Sequence, residues 1–185
     1  MKIHLLAVVM LVAISVVVVQ AQAPQAPKPG AEHKKLAPFV GSWSVDGETK
    51  PGNGYSVPPG KVSFVERYQW MPGEFFLQMN REGKGPAGEP IRHSIIVGYD
   101  PVAKKHTGTF YDFTGGLSMS GTWTNNGSTW MLLSSGRTAD AKTFQERCTL
   151  AFAANGASWT IKCDTSTDGR NWSPSYEAKA TKSRS

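Results

Sequence analysis

From Gly41 onward, apolar and polar residues alternate with a period of two, and this pattern constrains the fold more than any other feature. Glycine, asparagine, aspartate or proline interrupts the alternation about every 8–12 residues, as turns between short strands do. One helical turn is predicted at Glu32–Ala37, ended by Pro38. Ten strands are predicted, at residues 41–49, 62–70, 74–81, 91–99, 105–113, 117–124, 129–135, 143–153, 158–166 and 172–181.

Hairpin-sized connections between ten short strands favour an all-β antiparallel meander that closes into a calycin-like barrel. A two-sheet sandwich is the alternative. The chain has 185 residues, which is enough for one domain but not for two separate cores. Six tryptophans, five tyrosines and eight phenylalanines indicate a packed core and exclude a disordered chain.

The hairpin around Asn155-Gly156 predicts a disulfide bond. A two-residue turn at these positions places Cys148 directly opposite Cys163, on the apolar face of both strands. Directly opposed residues have Cα atoms about 4.5–5.5 Å apart, which a disulfide can span. Two buried thiols are the alternative.

The next hairpin is predicted in the same way, from a turn at Asp168-Gly169. This turn places Tyr176 opposite Ile161 and turns Trp172 toward the core. Pro174 has no N–H to donate to the neighbouring strand, which indicates a bulge at that position.

The first 21 residues are typical of a secretory signal peptide. Lys2 precedes an apolar run that ends in small residues, and cleavage is favoured after Ala21, with Ala23 as a second possibility. A membrane anchor is the alternative, although the run is short for a span. Residues 22–31, rich in proline and alanine, are predicted to be a linker, and residues 32–185 to be the barrel domain. The protein is therefore expected to be secreted or periplasmic, without stable membrane insertion once the signal is removed.

Alternation places two ionisable residues, Glu66 and His93, on inward faces. A wall that mixes such groups with aromatic rings suits a cavity for one small, partly apolar molecule. An internal ion pair or a buried water network is the alternative. The predicted ligand-binding residues are Trp43, Phe64, Glu66, Tyr68, Phe76, His93, Tyr99, Trp123 and Trp159.

Two other functions remain open. The first is an enzyme that uses Glu66, His93 and Asp112 as acid–base groups, which requires two of them within about 3 Å of each other or of a shared water. The second is a module that binds envelope polysaccharide through its basic surface. No catalytic residue or cofactor is predicted. No metal ligand is predicted either, because the histidines are too far apart in sequence to form a metal site by local spacing.

The net charge of +6 is spread over short basic runs that are not interleaved with aromatic residues. This distribution does not predict nucleic-acid binding. Gly83–Gly88 matches a dinucleotide-binding pattern by letter, but Pro90 and a strand follow it where the mechanism needs a helix. It is expected to be a loop.

Several segments resemble the bacterial DUF1579 family. These are the opening stretch from His33 to Trp43, the segment Pro72–Leu77, Gly98-Tyr99-Asp100 and Lys104-Lys105-His106. Gly41-Ser42-Trp43 also resembles the G-x-W motif of lipocalins, in which the tryptophan closes the barrel floor. The resemblance implies a calycin-like barrel from about residue 32 to 181 and implies no particular chemistry.

Overall fold

The computed structural model describes residues 27–52, 58–137 and 141–183. The ten predicted strands are confirmed, with ends that differ from the prediction by at most three residues. They are β1 (Gly41–Thr49), β2 (Gly60–Trp70), β3 (Phe76–Lys84), β4 (Pro90–Asp100), β5 (Lys105–Asp112), β6 (Leu117–Asn126), β7 (Thr129–Arg137), β8 (Thr143–Phe152), β9 (Ser158–Ser166) and β10 (Ser173–Lys182).

Each strand pairs antiparallel with the next, and β1 also pairs with β10, so the sheet closes on itself. This confirms the meander barrel and excludes the sandwich. Closure leaves no strand edge exposed within the described sheet.

The helical segment differs from the predicted single turn at Glu32–Ala37. Helix α1 covers Ala31–Lys34, and a separate 3-10 helix covers Ala37–Phe39. Pro38 therefore lies within a helix, where it was predicted to end one. Proline is tolerated there because the first residues of a helix have no internal partner for their N–H groups.

These two helices lie at one end of the barrel, where Phe39 packs against residues of the strands. We call this end the floor, and it consists of Phe39, Trp43, Trp130, Phe152 and Trp159. The Phe39 ring lies 4.9 Å from that of Phe152 and 5.7 Å from that of Trp130, measured between centroids. The indole Nε1 of Trp43 donates a 2.7 Å hydrogen bond to the carbonyl of Phe39. All five side chains pack in edge or tilted contacts that leave the floor apolar and filled.

Two contacts attach the floor to the strands around it. The ring Nε2 of His106, on β5, donates a 2.9 Å hydrogen bond to the carbonyl of Glu32 in α1. Near the end of β10, the Lys182 ammonium lies 5.2 Å from the centre of the Trp43 ring, a cation–π contact. The beginning and the end of the domain therefore meet at this tryptophan.

The Asn155-Gly156 hairpin has the predicted register. Cys148 on β8 lies opposite Cys163 on β9, and the two form a disulfide. The prediction from turn arithmetic is confirmed.

The register predicted for β10 is wrong by two residues. Tyr176 lies opposite Cys163, whereas Ile161 was expected. One residue of the shift is already present at Ser173, which pairs with Thr165, and the bulge between Pro174 and Tyr176 adds the second. The bulge at Pro174 was itself predicted. Trp172 does not enter the core; its ring lies under the guanidinium of Arg147, 4.5 Å away, on the outer face. The shift brings Tyr176 next to the disulfide.

The predicted signal peptide and both cleavage positions lie outside the described residues, as does the first half of the predicted linker. Within the described ranges, no helix is both long enough and apolar enough to cross a membrane.

Candidate functional site

Four ionisable side chains form one row across the inner wall of the barrel, which we call the polar row: Glu66, Arg81, His93 and Asp112. They lie on β2, β3, β4 and β5, and each is directly opposite the next in strand register. Directly opposed side chains on one face are about 4.5–5.5 Å apart at Cβ, close enough for direct bonds. The register of four consecutive strands therefore builds the row.

Glu66 and Arg81 form the centre of the row. The Nε and Nη2 atoms of Arg81 donate hydrogen bonds of 2.9 and 2.6 Å to one carboxylate oxygen of Glu66. Tyr68 donates a 2.9 Å hydrogen bond to the other oxygen. Glu66 is completely buried, and the Arg81 side chain is 17% exposed. Both oxygens of the buried carboxylate are thus satisfied, as a charge removed from water requires.

Burial and pairing both affect how these groups titrate. Burial by itself lowers the pKa of Arg81, but the adjacent Glu66 carboxylate outweighs it and raises that pKa above its usual range. Burial, reinforced by the Glu66 charge, raises the pKa of the Tyr68 hydroxyl well above its usual value. Arg81 is therefore a permanent cation and Tyr68 a permanent hydrogen-bond donor.

His93 continues the row in its neutral form. Burial, together with the positive charge of Arg81, lowers its pKa from 6.5 to about 3, against the opposing effect of Asp112. Arg81 can only donate, so the 3.4 Å contact from its Nη1 makes the ring Nδ1 of His93 an acceptor. The ring proton then resides on Nε2, which lies 3.6 Å from a carboxylate oxygen of Asp112. With a neutral imidazole, this last contact is not an ion pair at neutral pH.

The pKa of His93 predicts how stability changes with acid. Below about pH 6.5 the unfolded chain binds a proton at this position, whereas the folded chain does so only near pH 3. The contribution of His93 to the free energy of unfolding should therefore fall by about 2 kcal/mol as the pH is lowered from 7.5 to 5.0. Urea unfolding at both pH values, in the native chain and in His93→Gln, measures this contribution as the difference between the two proteins. Equal losses in the two would contradict the assignment.

The polar row borders a cavity of about 90 Å³ inside the barrel. Arg81 contributes to its wall, next to Tyr176 from β10. The apolar part of the wall consists of Ile95, Phe110, Met119, Trp123, Leu132 and Ile161. Its other polar members are Ser134 and Glu146, and the disulfide between Cys148 and Cys163 completes it. The cavity thus has an apolar wall with a few polar groups, the arrangement typical of small-molecule sites.

Tyr176 carries a hydroxyl group without a hydrogen-bond partner in the part of the chain that the structure describes. The oxygen is buried, and burial raises the pKa of this phenol above its usual value. It is therefore a neutral hydroxyl with unused donor capacity next to the cavity.

Glu146 and the two cysteines lie close together, with one ligand atom of each within 4.8 Å of the others. A carboxylate oxygen and two thiolate sulfurs at this spacing would suit a metal ion. The two sulfurs are bonded to each other, however, and a disulfide offers no thiolate. The cluster does not form a metal site in this state.

His93 and Asp112 also face a second cavity, of about 150 Å³, beside the loop that joins β3 to β4. Glu89 and Thr114 line the same space. One carboxylate oxygen of Asp112 accepts hydrogen bonds from the backbone N–H groups of Thr114 and Gly115, at 2.8 and 3.0 Å. These bonds give Asp112 a role in shaping the β5–β6 turn.

Eight of the nine predicted binding residues lie in three places. Trp123 lines the inner cavity. Phe64, Glu66, Tyr68 and His93 belong to the polar row or contact it, with Phe64 lying 4.2 Å beneath the Arg81 guanidinium. Trp43 and Trp159 belong to the floor, and Tyr99 lies half-buried beside it against the rings of His33 and His106.

Phe76 was predicted to face inward, and this is wrong: its side chain is on the outside and 50% exposed. The run Phe75-Phe76-Leu77 hides the alternation at the start of β3, and Leu77, not Phe76, begins the inward series. The Phe76 ring instead covers Gly98 on the neighbouring strand, at a position where glycine leaves room for it.

Three residues of the site were not predicted as site residues: Arg81, Glu146 and Tyr176. Arg81 shares its strand parity with the buried Leu77 and Met79, and Glu146 shares that of Cys148. The alternation was sufficient to place both inward. Tyr176 was expected in the core, but only the bulge at Pro174 brings it to the cavity.

No direct contact of about 3 Å joins two of the suggested acid–base groups, Glu66, His93 and Asp112, all of which the structure describes. The shortest approach recorded among Glu66, His93 and Asp112 is 3.6 Å, and Glu66 is held by Arg81 and Tyr68. The geometry gives a fixed polar row, and its member Arg81 lines the inner cavity, where the guanidinium can donate hydrogen bonds.

The fold and the site together define a closed ten-stranded meander barrel with a filled apolar floor and a polar row beside an internal cavity. The chain belongs to the DUF1579 family, described as a protein of unknown function, whose model matches residues 28–182. The resemblance seen in the sequence is confirmed. No curated protein matches the chain.

Two solved structures share the barrel. The crystal structure of Rv2717c from M. tuberculosis superposes with a TM-score of 0.59 at 16% identity, over 84% of this chain and 99% of that one. The S-type phycobiliprotein lyase CPES from Guillardia theta superposes with a TM-score of 0.55 at 12% identity, over 85% and 99%. At these identities the likeness concerns the fold alone.

Proposed function

We propose that this barrel binds one small, partly apolar molecule in its interior. The observation that carries the proposal is the inner cavity, whose apolar wall is interrupted by Arg81, Ser134, Glu146 and Tyr176. The buried Tyr176 hydroxyl on this wall has no partner among the described residues, and such a group costs free energy unless something in the cavity bonds to it. The polar wall therefore supports a binding role.

The cavity limits the size of this molecule. Its volume of about 90 Å³ is below the ~150 Å³ of an engineered cavity that takes up benzene. Benzene has six non-hydrogen atoms, so by the same scale this cavity encloses about four, and a larger molecule extends beyond it. The floor is filled, so entry is expected from the opposite end.

We further propose that the protein acts outside the cytoplasm. The Cys148–Cys163 disulfide supports this, since disulfides persist mainly in oxidising compartments. The predicted signal peptide, at residues 1–21, supplies a route to such a compartment.

Filling the cavity should abolish binding. Leu132 and Leu133 are neighbours on β7, but Leu132 faces the cavity and Leu133 is 51% exposed on the outer face. We expect Leu132→Trp to weaken binding of cyclopentanone at least tenfold, and Leu133→Trp to leave it within twofold of the native chain. The chemical shift of the Trp123 indole N–H, followed by NMR during titration, reports occupancy.

Urea unfolding of both variants controls for loss of the fold. The proposal fails if cyclopentanone gives no saturable shift in the native protein, or if Leu132→Trp binds it as well as Leu133→Trp does.

A further inference from the structure

The guanidinium of Arg81 uses three of its five N–H donors. The Nε donor and one Nη2 donor bond to Glu66, and one Nη1 donor contacts His93. One donor on Nη1 and one on Nη2 have no partner among the described residues. Arg81 also forms part of the cavity wall. Two charged N–H donors therefore remain available at the edge of the cavity.

From this we infer that the ligand carries an uncharged acceptor oxygen, as a ketone or aldehyde does, which accepts hydrogen bonds from the free N–H donors of Arg81. This inference rests on the proposed function and specifies the chemical class of the ligand. A water molecule is able to fill this role in the empty barrel, since it needs only ~10–15 Å³ and two to four polar partners. A hydrocarbon that displaces the water leaves the donors unsatisfied, whereas a carbonyl replaces it.

The charges around Arg81 favour a neutral acceptor over a carboxylate. The Glu66 carboxylate already matches the guanidinium charge at 2.6 Å. Glu146 lines the same cavity, and Asp112 ends the same row. His93, which lies between Arg81 and Asp112, is neutral. A carboxylate ligand would add another acidic group beside a single paired cation, without a new positive charge to offset its desolvation.

The rest of the wall fixes the remainder of the molecule. Apart from Arg81, Ser134, Glu146 and Tyr176, the wall is largely apolar and includes Ile95, Phe110, Met119 and Trp123. About three carbon atoms fit this volume beside one oxygen, and the rest of a larger apolar body extends beyond it. The expected class is a small aliphatic or cyclic carbonyl compound.

Three probes of about equal size test the inference: cyclopentanone, methylenecyclopentane, in which a CH₂ group replaces the oxygen, and butanoate. In the double variant Glu66→Gln/Arg81→Met, cyclopentanone affinity should fall at least tenfold, and methylenecyclopentane affinity should stay within threefold. The matched control is Arg147→Met/Asp164→Asn, which removes the exposed ion pair between β8 and β9. It should leave both affinities unchanged.

A second measurement needs no variant. Cyclopentanone should shift the Arg81 side-chain N–H resonances of the native protein, and methylenecyclopentane should not. The inference is overturned if both probes lose affinity equally in the double variant, if neither does, or if butanoate binds more tightly than cyclopentanone. Saturable binding of both neutral probes with no dependence on Arg81 would leave the proposed function intact. Failure of every probe to bind would overturn both.

Discussion

Replacing Arg81 with methionine should lower the free energy of unfolding by about 3–5 kcal/mol. The substitution leaves the Glu66 carboxylate, which is completely buried, with Tyr68 as its remaining donor. An unpaired buried charge costs far more than the pair contributes, because the pair's attraction has to offset the desolvation of both ions. Urea unfolding monitored by tryptophan fluorescence gives the value directly.

The double variant Glu66→Gln/Arg81→Met removes both charges, so that no unpaired ion is left in the core. Glutamine keeps an acceptor for the Tyr68 hydroxyl and carries no charge, so at least half of the lost stability should return. A loss below 1 kcal/mol in Arg81→Met would mean that Glu66 is not a buried ion in the folded protein.

Removal of the disulfide should have the second largest effect. The bond joins residues 15 positions apart, and a loop of that length corresponds to about 3 kcal/mol in the chain-entropy model. The β8–β9 hairpin already holds these residues opposite each other, so we expect Cys148→Ala/Cys163→Ala to lower the free energy of unfolding by about 2–3 kcal/mol.

Unfolding of the native protein with and without a reducing agent provides the comparison. Both cysteines line the cavity, so the alanine variant also tests whether the cavity keeps its shape. Unchanged stability in the reduced protein and in the variant would show that the hairpin alone supplies the constraint.

Much of this fold was accessible from the sequence because the period of a strand is short and strict. A turn at Asn155-Gly156 was enough to pair Cys148 with Cys163, because the two partners in a hairpin lie the same number of residues from the turn. The same arithmetic failed after Asp168-Gly169. There, the pairing is displaced by one residue at the turn itself and by one more at the bulge after Pro174, and the Asp-Gly pair encodes neither displacement.

The candidate site was only half predictable, for a related reason. Parity tells which face a residue occupies, and it placed Glu66 and His93 inside correctly. It does not tell the height of a residue along the barrel, which depends on all the registers together. Trp43 and Trp159 therefore entered the predicted cavity wall, although they pack in the floor. Arg81 was overlooked because the expectation that Phe76 faces inward places Arg81, five residues further along β3, on the outer face.

The seam between β1 and β10 has a consequence for biogenesis. Trp43, near the start of the domain, pairs with Lys182, near its end, so the ring is complete only when the last strand has been made. Until then, the growing chain presents two unpaired strand edges, and such edges promote aggregation. Folding after delivery of the whole polypeptide, as export in an extended form allows, would keep that vulnerable interval short.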